Sequence, residues 1–235
     1  MICATPWRFP AISEPSAATR IAVAAIGGGL VAGVLLAALT WWWATPYVLA
    51  AERLLGEAGA GYLGRGWHTL LTSCAVGIGY GLVLASLAPS IIALDMRRGA
   101  VLGLAGFVVF QLAPAIGLPP NPPGVAEAAL HARQTWWIGA SLSAAAALWL
   151  LWRRPGGGLW AALGAAVLIA VPHVIGAPEP TSIDTPVPVA LIRGFRAAAL
   201  GSALLFWLTL GACIGAMLGP STRHAARYEH HKRLG

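Results

Sequence analysis

Long uncharged apolar runs alternate along the chain with short polar connections rich in proline and arginine. Six runs stand out, over about 21–43, 69–94, 99–117, 135–152, 157–175 and 195–218. The first holds 23 residues without a charge. At about 1.5 Å rise per residue, such a run crosses roughly 30 Å of hydrocarbon. The pattern predicts an all-α, polytopic integral membrane protein of about six transmembrane helices, arranged as three helical hairpins. Five is the alternative, because glycine opens the fifth run and Pro172 interrupts it.

The connections carry their own signals. Trp41, Trp42 and Trp43 close the first run where an interfacial aromatic belt belongs. Thr45-Pro46 is expected to bend the chain there, with a polar connection over 52–68. Asp95-Met96-Arg97-Arg98 reads as a tight basic loop. Four prolines between Pro119 and Pro123 predict a stiff extended loop, since proline fixes φ and removes a donor. Arg153-Arg154-Pro155 ends the fourth run, and a proline-rich acidic loop follows the fifth. Domain organisation follows: an N-terminal segment 1–20, a transmembrane domain 21–218, and a basic tail 219–235. The first apolar run is too long for a signal-peptide core and reads as a retained span.

Charge sets the orientation. With six spans, the N-terminus, second and fourth loops and the tail share one side and carry ten Lys+Arg, against five in the other loops. The positive-inside rule puts both termini in the cytoplasm, as expected for a multi-pass protein of a bacterial inner membrane. The proline-rich loops with their histidines and carboxylates then face outward. A weak threefold repeat fits this layout. Spans one, three and five end near Pro46, Pro114 and Pro172, with Glu52, Glu127 and Glu179 following. The second and third copies share P-x(1–2)-I-G-x-P.

Composition narrows the function. Hydrophobic residues make up 58% of the 235 and charged residues 10%, against about 25% in soluble domains, so no sizeable soluble unit remains outside the runs. The net charge of +7 lies in short clusters without an aromatic-interleaved stripe, which excludes nucleic acid as a partner and leaves the lipid bilayer. Cys3, Cys74 and Cys213 form no CxxC or Cys/His pattern, so neither a disulfide framework nor a structural zinc site is expected. P-loop, GxSxG and HExxH motifs are missing, which argues against an enzyme and against an ATP-driven pump acting alone. All six histidines fall at span edges or in loops, where they do not suit a haem-bearing bundle.

Six residues are candidate metal ligands: His173, Glu52, Glu179, His131, Glu127 and Gln111. His173 is the sharpest. It follows Pro172, whose missing N–H is expected to free the carbonyl of Leu168. An imidazole beside exposed carbonyls and Glu179 suits a borderline divalent metal, and the alternative is an interfacial histidine bonded to a loop carbonyl. Gln111 sits one turn before Pro114, as a ligand or as an interhelical hydrogen bond. Glu127 and His131 are spaced i,i+4, so on a helix they share a face. Glu52 reads as a cation-neutralising carboxylate or an ordinary interfacial one. His68 marks the mouth of span two, and His224, His230 and His231 belong to a solvated tail near anionic headgroups.

Four motifs in order carry a resemblance: Thr45-Pro46…Ala51-Glu52; Leu112-Ala113-Pro114-Ala115-Ile116-Gly117-Leu118-Pro119-Pro120…Pro123-Gly124; Ala132-Arg133-Gln134-x-Trp136-Trp137; and Pro172-His173-x-Ile175-Gly176-Ala177-Pro178-x-Pro180. Over about residues 21–218 the chain resembles the CbtA family of cobalt-transporter subunits. The resemblance implies uptake of Co²⁺ as the transported ion, no permanently bound cofactor, five spans, and a small His-bearing membrane partner, CbtB. Asn121 stands where it implies a glutamate, and Gln111 where it implies a histidine. Two functions follow. The first is a membrane subunit of a cobalt uptake transporter that captures the ion at outward-facing Pro/His/Glu loops. The second is a non-transporting structural subunit of a larger membrane complex.

Overall fold

The computed structural model describes residues 16–56, 62–91, 94–153, 158–181 and 184–219. The N-terminal segment with Cys3, and the tail with His224, His230 and His231, lie outside the described residues. Six helices account for nearly all the rest: α1 (Ala17–Leu55), α2 (Tyr62–Ile91), α3 (Met96–Gly117), α4 (Leu130–Arg153), α5 (Leu159–Ile175) and α6 (Val189–Leu218). Five are long and apolar enough to cross a membrane. The exception is α5, whose 17 residues reach only about 26 Å. This is why six runs are visible in the sequence while five helices have the length to span. The apolar side chains turned outward, among them Val31, Leu71, Val101 and Leu142, suit lipid rather than water.

Two prolines near span ends lie inside continuous helices: Pro114 in the last turn of α3, as the run to Gly117 predicts, and Pro46 well before the end of α1. In α1 a π turn, Thr40–Ala44, comes just before Pro46, and the helix runs on to Leu55. The N–H of Thr45 reaches back to the Thr40 carbonyl, which Thr45 Oγ1 also contacts at 3.1 Å. The wider turn puts Pro46 in the first turn of a new α segment, where a missing N–H costs little. In α3 the same device recurs: a π turn at Val108–Leu112, the Ala113 N–H on the Val108 carbonyl, then Pro114. Pro46 therefore does not end the first helix. Much of the polar connection expected over 52–68 is helical instead: Glu52 and Arg53 lie in α1, which ends at Leu55 before Gly56 at φ 69°, and Arg65 and His68 lie in α2. At Asp95 the side chain caps α3 by accepting from the Arg98 N–H at 2.8 Å, so Met96-Arg97-Arg98 form a first helical turn and not a loop. α4 and α6 begin before their apolar runs, at Leu130 and Val189, because polar residues extend a helix beyond the bilayer edge.

Helix pairing follows the small residues. Gly29 and Gly33 of α1 lie against Gly77 and Cys74 of α2, backbone on backbone. A Cβ at Gly29 would come within 2.6 Å of the Gly77 carbonyl oxygen. Gly99 and Gly103 of α3 meet Gly211 and Gly215 of α6 in the same way. Such contacts let antiparallel helices approach closely and gain dispersion energy that lipid tails cannot match. The pairs are α1 with α2, α4 with α5, and α3 with α6. Two are sequential hairpins, and the third joins helices far apart in sequence. α6 is the central helix: Trp207, Leu210 and Ile214 are buried against Ala25 and Ala32 of α1, Leu84 and Ala85 of α2, and Phe107 of α3. The Trp207 ring stacks on Phe110 at 5.5 Å and meets Tyr80 at 4.6 Å. The α4–α5 pair attaches to the far half of α3 through Val109, Ala113 and Ala144.

Candidate functional site: the proline-rich mouth

Where α3 ends, α4 begins, α5 ends and α6 begins, the chain forms one polar end of the bundle. The stretch from Leu118 to Ala129 is irregular, as four closely spaced prolines require. It is tied down near its middle: Thr185 Oγ1 donates to the Gly124 carbonyl at 2.8 Å, and Val125 packs against Ala51, Val187 and Ile192. Between these elements lies a cavity of about 480 Å³. Its walls include Asn121, Glu127, Arg133, Gln134, Trp137 and Arg196.

His173 occupies the last turn of α5. Its ring meets Trp136 edge-on, with centroids 5.5 Å apart. Trp136 Nε1 donates to the Pro172 carbonyl at 3.1 Å, which fixes the indole beside the imidazole. Gly117 makes room for that indole, because a side chain there would strike its ring. His173 Nε2 is buried and has no hydrogen-bond partner among the described residues. An imidazole nitrogen so placed is a candidate to ligate a borderline metal. The Leu168 carbonyl, expected to be free beneath Pro172, is not. Ser143 Oγ of α4 donates to it, so the gap left by proline is closed by a neighbouring helix.

The other candidates disperse. Glu52, near the end of α1, forms a two-pronged pair with Arg65 of α2: Oε1 to Nη1 at 2.8 Å, Oε2 to Nη2 at 3.1 Å. The carboxylate side chain is only 13% exposed, and the pair staples the ends of α1 and α2. Its lone pairs are therefore occupied by a guanidinium. Glu127 lies before α4 begins at Leu130, so the helical i,i+4 face shared with His131 does not form. Glu127 pairs with Arg133 instead. His131 and Glu179 are exposed, and Gln111 sits half-buried in the π turn of α3. Among the described residues, no three His, Cys, Asp or Glu side chains gather as a metal-holding group.

Three contacts have no counterpart in the sequence pattern: Ser143 to Leu168, Trp136 to Pro172, and the bond from Arg196 Nη2 to Asn121 Oδ1 at 2.7 Å. All three span more than 20 positions. Only the last left a trace, since Arg193 and Arg196 stand out as charges just before an apolar run. They belong to the first turns of α6 and not to a loop.

No curated protein and no solved structure matches this chain. A family model does, over residues 18–219, and it is described as a probable cobalt transporter subunit, CbtA. That match begins at the second residue of α1 and takes in every other described helix in full, so the chain belongs to the CbtA family and is a membrane protein of cobalt transport.

Proposed function

We propose that this chain is the membrane subunit of a Co²⁺ uptake system of a bacterial inner membrane, and that its own residues supply only part of the metal site. The observation that carries this reading is His173 Nε2, buried and unpartnered at the mouth of a chain from a cobalt-transport family. A borderline ion takes several ligands, and one imidazole does not hold it alone. Glu52 and Glu127 are engaged by arginines. Glu179, six positions after His173, is the candidate carboxylate that makes no ion pair among the described residues. The missing ligands come from a second protein, as the word subunit implies, and a small His-bearing single-span protein of the CbtB kind suits the role. His131 is exposed at the same end and is placed to join such an assembly.

With α5 counted as a crossing, the excess of arginine and lysine on the termini and the even-numbered loops supports cytoplasmic ends and an outward-facing proline-rich mouth. The ion is then taken from the outer face. The second reading, a structural subunit that only docks a partner, is favoured by one observation: no three-ligand group is present among the described residues.

Cobalt accumulation at limiting cobalt separates the two. With the partner co-expressed, His173→Ala lowers accumulation about tenfold, the scale on which a metal site loses affinity when a supporting group goes. Unchanged accumulation at normal membrane levels of the variant rejects His173 as a ligand.

A further inference from the structure

The cavity at the mouth does not suit a bare cation. Two arginines, Arg133 and Arg196, face one carboxylate, Glu127, which is already paired with Arg133. Among the described residues Arg196 has only the amide oxygen of Asn121, a neutral acceptor. Among the described residues its Nε is buried without a partner, and no carboxylate forms an ion pair with it. A guanidinium does not shed its proton, so a positive charge stands in the cavity wall with donors unfilled. Burying such a charge is costly until an anion enters, and planar oxyanions match the guanidinium fork.

The rest of the wall sets the kind of anion. A volume of about 480 Å³ is in the range of small-molecule sites and far more than one inorganic oxyanion fills. Leu118, Val125 and Trp137 supply apolar surface, and Gln134 offers a further amide. We propose that this cavity binds a small organic anion with two or more carboxylates, one on Arg196 and another toward Arg133. The ligand arrives either free or as the chelate of a divalent metal, since both present the same carboxylates. This site is independent of His173 and of transport, so it can fail while the uptake reading stands.

Calorimetry on the full chain, purified in detergent, tests the site with citrate and with cobalt–citrate at matched ionic strength. The variants are Arg196→Gln and Asn121→Asp. The second gives Arg196 an internal carboxylate at almost no change in shape, so it stays informative if the first misfolds. Expected is saturable binding that falls about tenfold in Asn121→Asp, the size of one lost charge-assisted hydrogen bond. Binding of both ligands supports the site with the free anion as ligand, and binding of the chelate alone supports it with the metal complex as ligand. Absence of binding to either, an affinity that Asn121→Asp leaves unchanged, or heat reproduced by sulfate overturns the proposal.

Discussion

α3 and α6 run side by side but differ sharply from one end to the other. At the α3 start, Gly99 and Gly103 touch Gly211 and Gly215 backbone to backbone, and nothing but main chain separates the helices. At the α3 end the same two helices frame a cavity with two arginines, a carboxylate and two amides on its walls. Small residues make the first end a close-packed seam with no room for a ligand. Proline-rich chain holds the second end open, because it can neither coil into the gap nor pair its backbone regularly. Chemistry therefore belongs at the open end, and the closed end serves to hold it in place.

Breaking the closed end has the largest expected effect. Gly103→Leu drives a side chain into the Trp207 carbonyl and forces α3 and α6 apart. A loss of about 3 kcal/mol or more is expected, seen as a lower melting temperature and less monodisperse protein in detergent. At the mouth, Glu52→Gln leaves Arg65 half-buried without its carboxylate, for about 2–3 kcal/mol. The double variant Glu52→Gln, Arg65→Met recovers much of that loss if the pair acts as a staple. A double variant no better than the single one shows that Arg65 matters for another reason. Ser143→Ala has the smallest effect, about 1 kcal/mol, by unpairing the Leu168 carbonyl. Adding Pro172→Ala should cancel it, because an alanine N–H can then serve that carbonyl from within α5.

The contrast between the two ends also explains what was legible in the sequence. Apolar run length alone shows a polytopic helical bundle, and the weak fifth run is the 17-residue α5. Helix ends were less legible at Pro46, where the π turn at Thr40–Ala44 carries α1 through a proline that reads as a bend, than at Pro114, which the run to Gly117 already places in the last turn of α3. Charged residues at the mouth were visible one by one, but their partners were not. Glu52 looks like a cation ligand until Arg65, thirteen positions on, is seen to hold it. Leu168 looks like a free acceptor until Ser143 is seen to cover it. Spacing along the chain reports faces of single helices, while a site at the meeting of four helix ends depends on which helices pack together. The pairing of α3 with α6, distant in sequence, sets this and leaves no periodic trace.

On the proposed function, this chain contributes a ligand to a cobalt site that a second protein completes. Radiolabelled cobalt uptake measures it most directly, in cells lacking their own high-affinity cobalt uptake. The comparison is this chain alone, a small His-bearing single-span partner alone, and the two together, each with His173 intact or replaced by alanine. The account predicts full uptake only for the pair with His173 intact, about tenfold less for the pair carrying His173→Ala, and none for either protein alone. Full uptake by this chain alone, or by the pair without His173, would contradict it.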